Sequence, residues 1–343
     1  MTTTKWRQYP EEYYHVVLKR IPPQASPPFE DPDMQVRVWG QRWGCTNDVG
    51  RLRLVLLHRP GPEMKVIDSS KYDPEIDALI DDDEQWYFRS DTAPDLERMQ
   101  AQHDKLAQVL RDEGVQVEYV DGSPRNPKAI YTRDTAIAVN GGAIICRMGP
   151  VGKYPGTGRR GEEAYVTRKI ASLGMPILRT IHGTGLFEGG SFCFLNERNA
   201  AVGMSYRQNE EAVRQIEEVL AVQGVKVHRV PLVGHSLHLD GCIVMVDVDV
   251  ALIRITRLPY WFLDLLKELG IRTVEVHPED DPRTVNCLAV RPGRVIMCTG
   301  SERTQERLAK LGIEVIPIEY DEVHKGGGGI HCSTLPLVRD PIS

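Results

Sequence analysis

Cys332 stands late in a chain of 343 residues, at the end of a glycine track that reads Gly326-Gly327-Gly328-Gly329-Ile330-His331-Cys332. Consecutive glycines let a backbone pass close to a bound molecule, because no Cβ intervenes. A cysteine delivered on such a track is placed as a nucleophile, and the thiolate is its reactive form. Nucleophilic cysteines work with a base and an orienting carboxylate that the fold, rather than the sequence, brings near. Two upstream motifs offer these groups: Glu188 in Phe187-Glu188-Gly189-Gly190, and His238 with Asp240 in His238-Leu239-Asp240. Imidazole titrates near neutral pH and so can both give and take a proton. Each residue also has a plainer reading, as a packing cysteine, a solvated loop acid or a turn-capping aspartate. Their placement along the chain argues for chemistry.

That placement comes from a repeat. A helix over 93–113 and a strand over 115–120 lead into a hairpin, 135–139 and 143–147, whose Asn140-Gly141 turn between apolar runs is a strong hairpin marker. A helix over 162–173 and a strand over 176–181 follow. The same order of strand, strand, helix, strand recurs three times, with hairpins at 192–204, 242–255 and 287–298, at a spacing of roughly fifty residues that marks an internally repeated architecture. A separate strand is predicted over 52–58. Just before each hairpin stands a polar residue: Asp134, then Glu188, then His238 with Asp240, then Asn286. Cys332 follows the last predicted strand. Units packed about a common axis would bring these side chains together across one cavity.

Composition sets the frame. The chain is 41% hydrophobic and 26% charged with a net charge of -6, which excludes a dominant nucleic-acid footprint. No apolar run approaches the roughly 18 residues of a membrane span, and the stretch after Met1 lacks a secretory core. The seven cysteines form an odd set without paired spacing, as expected of a protein in a reducing cytoplasm. One catalytic domain is expected over 1–343, with residues 1–50 as an extension serving as lid or interface; homo-oligomerisation is left open. His235 and His238 are spaced as H-x-x-H but lack a third ligand, so no metal is expected. Gly156-Thr157-Gly158-Arg159-Arg160-Gly161 satisfies G-x-G-x-x-G, yet it follows a proline-containing loop rather than a strand, and no dinucleotide or other organic cofactor is expected.

Five pieces in order, Tyr131-Thr132-Arg133-Asp134, Phe187 to Gly190, Gly203-Met204-Ser205-Tyr206-Arg207, His238 to Asp240 and Gly327 to Cys332, resemble the guanidine-modifying superfamily of arginine deiminases, dimethylarginine dimethylaminohydrolases, agmatine deiminases and amidinotransferases. The resemblance covers about two-thirds of the chain. It implies an α/β pentein fold, a five-bladed propeller of ββαβ units. It further implies that Cys332 is the nucleophile, His238 the general acid and base, and Glu188 its orienting carboxylate. Asp134 and Asp240 would hold a planar cation bidentately, and Arg207 would clamp a carboxylate, with Arg159 and Arg160 as further candidates. His331 is read as structural. The expected activity is hydrolysis of a C–N bond at a guanidine or amidine carbon through a covalent thiouronium-like intermediate, on a small-molecule guanidine, amidine or amidine-like heteroaromatic. The alternatives are release of nitrite from a 2-nitroimidazole, amidino transfer to an amine, and a non-catalytic binding module. Two departures matter: Gly327, with Lys325 two residues earlier, stands where arginine deiminases carry an anchoring arginine, and Ser191 stands where an aspartate is usual. Both leave room for a substrate that is not an amino acid.

Overall fold

The structure, a computed structural model, describes residues 17, 19–22, 24–83, 86–121, 126–149, 158–233 and 236–342. The glycines at 156 and the histidine at 235 that entered the two motif readings lie outside these residues. No helix among the described residues is long and apolar enough to cross a membrane.

Among the described residues the strands form six separate three-stranded sheets. Five share one plan: two antiparallel strands, then a helix, then a third strand parallel to the second. The first of these in the repeat pairs Ala136–Val139 with Gly142–Ile145, and the latter with Ile177–Thr180. Gly141 takes φ 87°, the left-handed conformation that the two-residue turn requires. Phe192–Asn196, Asn199–Met204 and Lys226–Pro231 repeat the plan, as do Ile243–Asp247, Val250–Ile253 and Arg272–Glu275, and Leu288–Arg291, Arg294–Cys298 and Glu314–Ile318. These are the four units read from the sequence, with edges moved by a residue or two.

The connecting helices carry their own stop and start signals. Asn209 caps Glu210–Val222 by accepting from the Ala212 amide, and Ala212, Val213, Ile216 and Leu220 form its buried stripe. Ile216 and Leu220 are fully buried, each worth about 2 kcal/mol of apolar burial.

A fifth unit was not visible in the sequence. Leu335–Arg339 pairs antiparallel with Leu52–Leu57, which in turn runs parallel to Gln116–Tyr119 beyond the helix Leu96–Asp112. The two halves of this hairpin-like pair come from opposite ends of the chain, so no turn links them. Cys332 therefore precedes the last strand rather than following it, which puts it in the same phase as the other four polar positions. Trp43, Cys45, Asn47 and Val49 are buried, and Gly44 donates its amide to Leu337 O at 3.0 Å. The later part of the expected extension thus belongs to the body of the fold.

Neighbouring sheets touch mainly through their first strands: Leu335–Arg339 lies on Ala136–Val139, Phe192–Asn196 on Ile243–Asp247, and the latter on Leu288–Arg291, which also meets the middle strand Leu52–Leu57. A single 3-10 turn feeds the first strand in four of the five units, at Thr132–Thr135, Gly189–Ser191, Leu239–Gly241 and Pro282–Val285. The sixth sheet, Tyr72–Asp73, Ala78–Ile80 and Tyr87–Phe88, is small, antiparallel and outside the repeat.

Candidate active site

Each 3-10 turn presents at least one polar group of the site. Asp134 lies within its turn, Glu188 and His238 occupy N-caps, Asp240 lies in the turn after His238, and Asn286 is a C-cap. Such a turn is too short to satisfy its own ends, so its side chains reach outward for partners. They converge on a cavity of about 200 Å³ that all six residues expected from the sequence line: Asp134, Glu188, Arg207, His238, Asp240 and Cys332.

Cys332 is buried and held by its neighbours. Its amide donates to Asn286 Oδ1 at 3.1 Å, Asn286 Nδ2 donates to Cys332 Sγ at 3.1 Å, and the thiol donates to Asp240 Oδ2 at 3.3 Å. Burial first, then the charges of Asp240 and Asp134, push the thiol well above its ordinary pKa, so the resting group is S–H. The glycine track has a packing reason as well. A Cβ on Gly326 or Gly328 would strike the Tyr131 ring, and one on Gly329 would come within 2.7 Å of Asn286 Oδ1. Tyr131 does not yield easily, because its hydroxyl donates to Val323 O at 2.6 Å.

His238 faces carboxylates from both ring nitrogens, with Nε2 2.6 Å from Glu188 Oε2 and Nδ1 3.4 Å from Asp134 Oδ1. Burial opposes the imidazolium, but Asp134, the Glu188 hydrogen bond and Asp240 overcome it and raise the pKa to about 9. Glu188 is the complement: burial disfavours its charge, yet His238 and Arg207 bring its pKa down to about 2. Its other oxygen accepts from Gly149 N and from Arg207 Nη1, each at 3.2 Å. Asp134 accepts from Gly190 N at 3.0 Å. A Cβ on Gly190 would sit 2.7 Å from Asp134 Oδ1 and 3.0 Å from His238 Nδ1, which accounts for the second glycine of the Phe-Glu-Gly-Gly motif.

Asp240 accepts from His331 Nδ1 at 3.0 Å. Burial works against its charge, but this hydrogen bond, the nearby His238 and the thiol lower its pKa. His331 itself is pushed down, by burial and then by Arg133, so it acts as a neutral donor that orients Asp240.

The ligand atoms of Asp134, Glu188 and His238 lie within 4.8 Å of one another, a spacing that a metal could share. Both carboxylates already carry guanidiniums, however. Arg207 binds Glu188, and Arg159 binds Asp134 while also pairing with Glu162 at 2.7 Å. The cluster is an ion-pair network in which a dication would meet two guanidiniums.

Sequence reasoning gave Asn286 a phase but no role, and left Arg159 as a loop candidate. In the structure Arg159 is committed to two carboxylates and donates to Tyr131 O at 2.9 Å. Lys128, Tyr87, Arg89 and Arg254 also line the cavity, and the sequence reading did not single them out. Tyr87 and Arg89 arrive with the sixth sheet, whose strands of two or three residues carry no periodicity to read.

The family model described as N,N dimethylarginine dimethylhydrolase, eukaryotic, matches residues 77–339. The chain belongs to this family. It is therefore a member of the guanidine-modifying superfamily, within a family of hydrolases that act on carbon–nitrogen bonds. Among curated relatives, the N(G),N(G)-dimethylarginine dimethylaminohydrolase of Pseudomonas aeruginosa is 26% identical over 242 residues, spanning 71% of this chain and 89% of the relative. The uncharacterized protein YkgA of Bacillus subtilis is 27% identical over 301 residues, spanning 86% of this chain and 95% of the relative. A solved structure of the Pseudomonas aeruginosa enzyme, a mutant complexed with citrulline, superposes with a TM-score of 0.66 at 22% identity, covering 83% of this chain and 99% of that one. The chain shares the α/β fold of that structure.

Proposed function

We propose that the cavity binds a small guanidine or amidine and hydrolyses it through a covalent intermediate on Cys332. The observation that carries this reading is one cavity lined by a buried thiol, an imidazolium hydrogen-bonded to Glu188 and ion-paired with Asp134, and the further carboxylate of Asp240. In this reading Asp134 and Asp240 hold the planar N–C–N unit through its parallel N–H groups. The arriving cation offsets the carboxylates that keep Cys332 protonated, and the thiol proton leaves to solvent. The thiolate adds to the central carbon, forming the C–S bond. His238, charged at neutral pH, gives its proton to the departing nitrogen as the C–N bond breaks. The neutral imidazole then takes a proton from water, whose oxygen attacks the thiouronium carbon. The C–S bond breaks, the urea-type product leaves, and the thiolate and imidazolium return. Glu188 keeps His238 charged and oriented, and Arg207, bonded to Glu188 at the cavity wall, is the candidate partner for a substrate carboxylate.

We read the five like sheets as blades of a five-bladed propeller in a single domain over 1–343, a reading supported by the contacts between neighbouring first strands. A reducing cytoplasm is the proposed compartment, supported by seven cysteines that are all unpaired.

The test is product analysis of the purified protein on arginine, methylated arginines, agmatine, simple guanidines and 2-nitroimidazole, alongside Cys332→Ala. The expected result is release of ammonia or an amine from a guanidine, lost in the variant. Turnover that survives in the variant would sink the mechanism. Nitrite from the nitroimidazole, or product only when an amine acceptor is supplied, would replace the hydrolase reading with the corresponding alternative.

A further inference from the structure

Lys128 is a buried ammonium without a carboxylate. It is 8% exposed, lines the cavity, and places Nζ 3.8 Å from the centroid of Tyr87 and 5.4 Å from that of Phe88. Its side chain makes no hydrogen bond or ion pair with any described residue. The Arg89 guanidinium lies against the same Tyr87 ring at 5.9 Å, on an exposed residue and likewise without a hydrogen bond or ion pair to any described residue. The charges that Lys128 feels most are Arg159, Arg207 and Arg89; the one acid among them, Glu162, is already taken by Arg159. Burial and these three cations drive its pKa well down.

A ring face repays only part of a cation's lost hydration, which falls short of the cost of desolvating an ammonium among like charges. The cavity as a whole leans the same way. Seven lysines and arginines line it against three carboxylates, and each carboxylate is engaged: Asp134 by Arg159, Glu188 by Arg207 and His238, Asp240 by His331. Two of them are needed for the guanidinium in the proposed function. The wall that remains would repel a cationic tail, and at Lys128 it would repel the ammonium of an amino acid. It lacks an anion. The volume of about 200 Å³ lies below the roughly 300–1,000 Å³ of pockets for drug-sized ligands, which suits one short chain.

We propose that Lys128 and Arg89 form an oxyanion subsite, and that the substrate is a short ω-guanidino carboxylate lacking an α-ammonium group. This rests on the reading of the cavity as a guanidine site, and the test separates the two. Full-length Cys332→Ser protein is titrated calorimetrically with guanidinoacetate, 3-guanidinopropionate and 4-guanidinobutyrate, and with butylguanidine, agmatine and arginine. At least one guanidino acid is expected to bind about 10- to 100-fold more tightly than butylguanidine, the gain of a charge-assisted contact in a desolvated site. Agmatine is expected to bind no more tightly than butylguanidine. The preference for the acid is expected to collapse in Lys128→Met and to persist in Lys128→Arg, with thermal melting to verify that both variants are folded. Butylguanidine, agmatine or arginine binding as tightly as every guanidino acid would overturn the subsite, as would a preference that survives Lys128→Met. If no guanidine binds while inorganic phosphate binds in a Lys128-dependent way, the subsite stands and the guanidine reading falls.

Discussion

Glu188→Gln isolates the carboxylate that sets the charge of His238. The amide keeps the shape and one acceptor for the imidazole, but it removes the negative charge 2.6 Å from Nε2. In the intact site the His238 pKa is raised from an ordinary 6.5 to about 9; at 1.36 kcal/mol per pH unit, its proton is held about 3 kcal/mol more tightly than on a free imidazole. Asp134 and Asp240 supply part of this, and an opposite charge in contact is worth about 1–3 pH units. The titration midpoint of His238 is therefore expected to fall by about 1–2 pH units in the variant. The measurement is carbon NMR of histidine-labelled protein, with His238 assigned among the ten histidines by its absence from His238→Gln. Stability follows with a defined sign. A raised histidine pKa stabilises fully below about 6.5 and loses its effect as pH rises through 9, while the depressed Glu188 stabilises above 4.5 and loses its effect as pH falls through about 2. The stability deficit of the variant should thus be greatest between about 4.5 and 6.5; above that window it shrinks toward a floor set by Arg207, which still loses its partner, and below it the deficit fades as the native Glu188 is itself protonated. A midpoint that stays near 9 in the variant, or that already lies near 6.5 in the native protein, would refute the assignment.

Two further outcomes follow from the same geometry. Cys332, held as a thiol by burial and by Asp240 and Asp134, should react with chloroacetamidine, which carries its own cation, at least about tenfold faster relative to free cysteine than with iodoacetamide; the reverse preference by mass spectrometry of the modified peptide would contradict a substrate-triggered thiolate. Gly328→Ala sets a methyl group against the anchored Tyr131 ring and should cost about 1–3 kcal/mol in denaturant unfolding, whereas a loss under about 0.5 kcal/mol would mean the track gives way.

The four hairpin units were legible because each carries two short apolar runs around a turn, then an amphipathic helix, and these signals are local. The fifth was not, since Leu335–Arg339 finds its partner Leu52–Leu57 across nearly the whole chain and neither strand announces the other. The site residues were legible for a related reason. A polar side chain just before an apolar strand stands out, and the repeat fixes which of them share a level. What their neighbours would do was not legible. Nothing in Gly158-Arg159-Arg160-Gly161 says that Arg159 folds back onto Asp134 and Glu162, and nothing in Pro127-Lys128-Ala129 says that Lys128 loses its water without gaining an anion. Those are consequences of three-dimensional burial, which turns an ordinary surface charge into a requirement for a partner.

The electrostatics of the resting cavity bear on why a cysteine and a histidine with such values share it. Two of the three carboxylates that raise His238 to about 9, Asp134 and Asp240, also hold Cys332 protonated, so the unliganded site has its acid ready and its nucleophile disarmed. A neutral molecule entering the cavity would change neither. In the proposed reading a planar cation resting on Asp134 and Asp240 would offset the charges that disfavour the thiolate, while leaving Glu188 to hold the imidazolium. Recognition and activation then depend on the same charge. A cysteine governed this way is protected from oxidants, which need the thiolate, until a ligand of the right sign is in place. The same logic makes Lys128, without an anionic partner among the described residues, informative: on the proposed reading the site would select for a positive head at one end and, through Lys128, against a positive tail at the other.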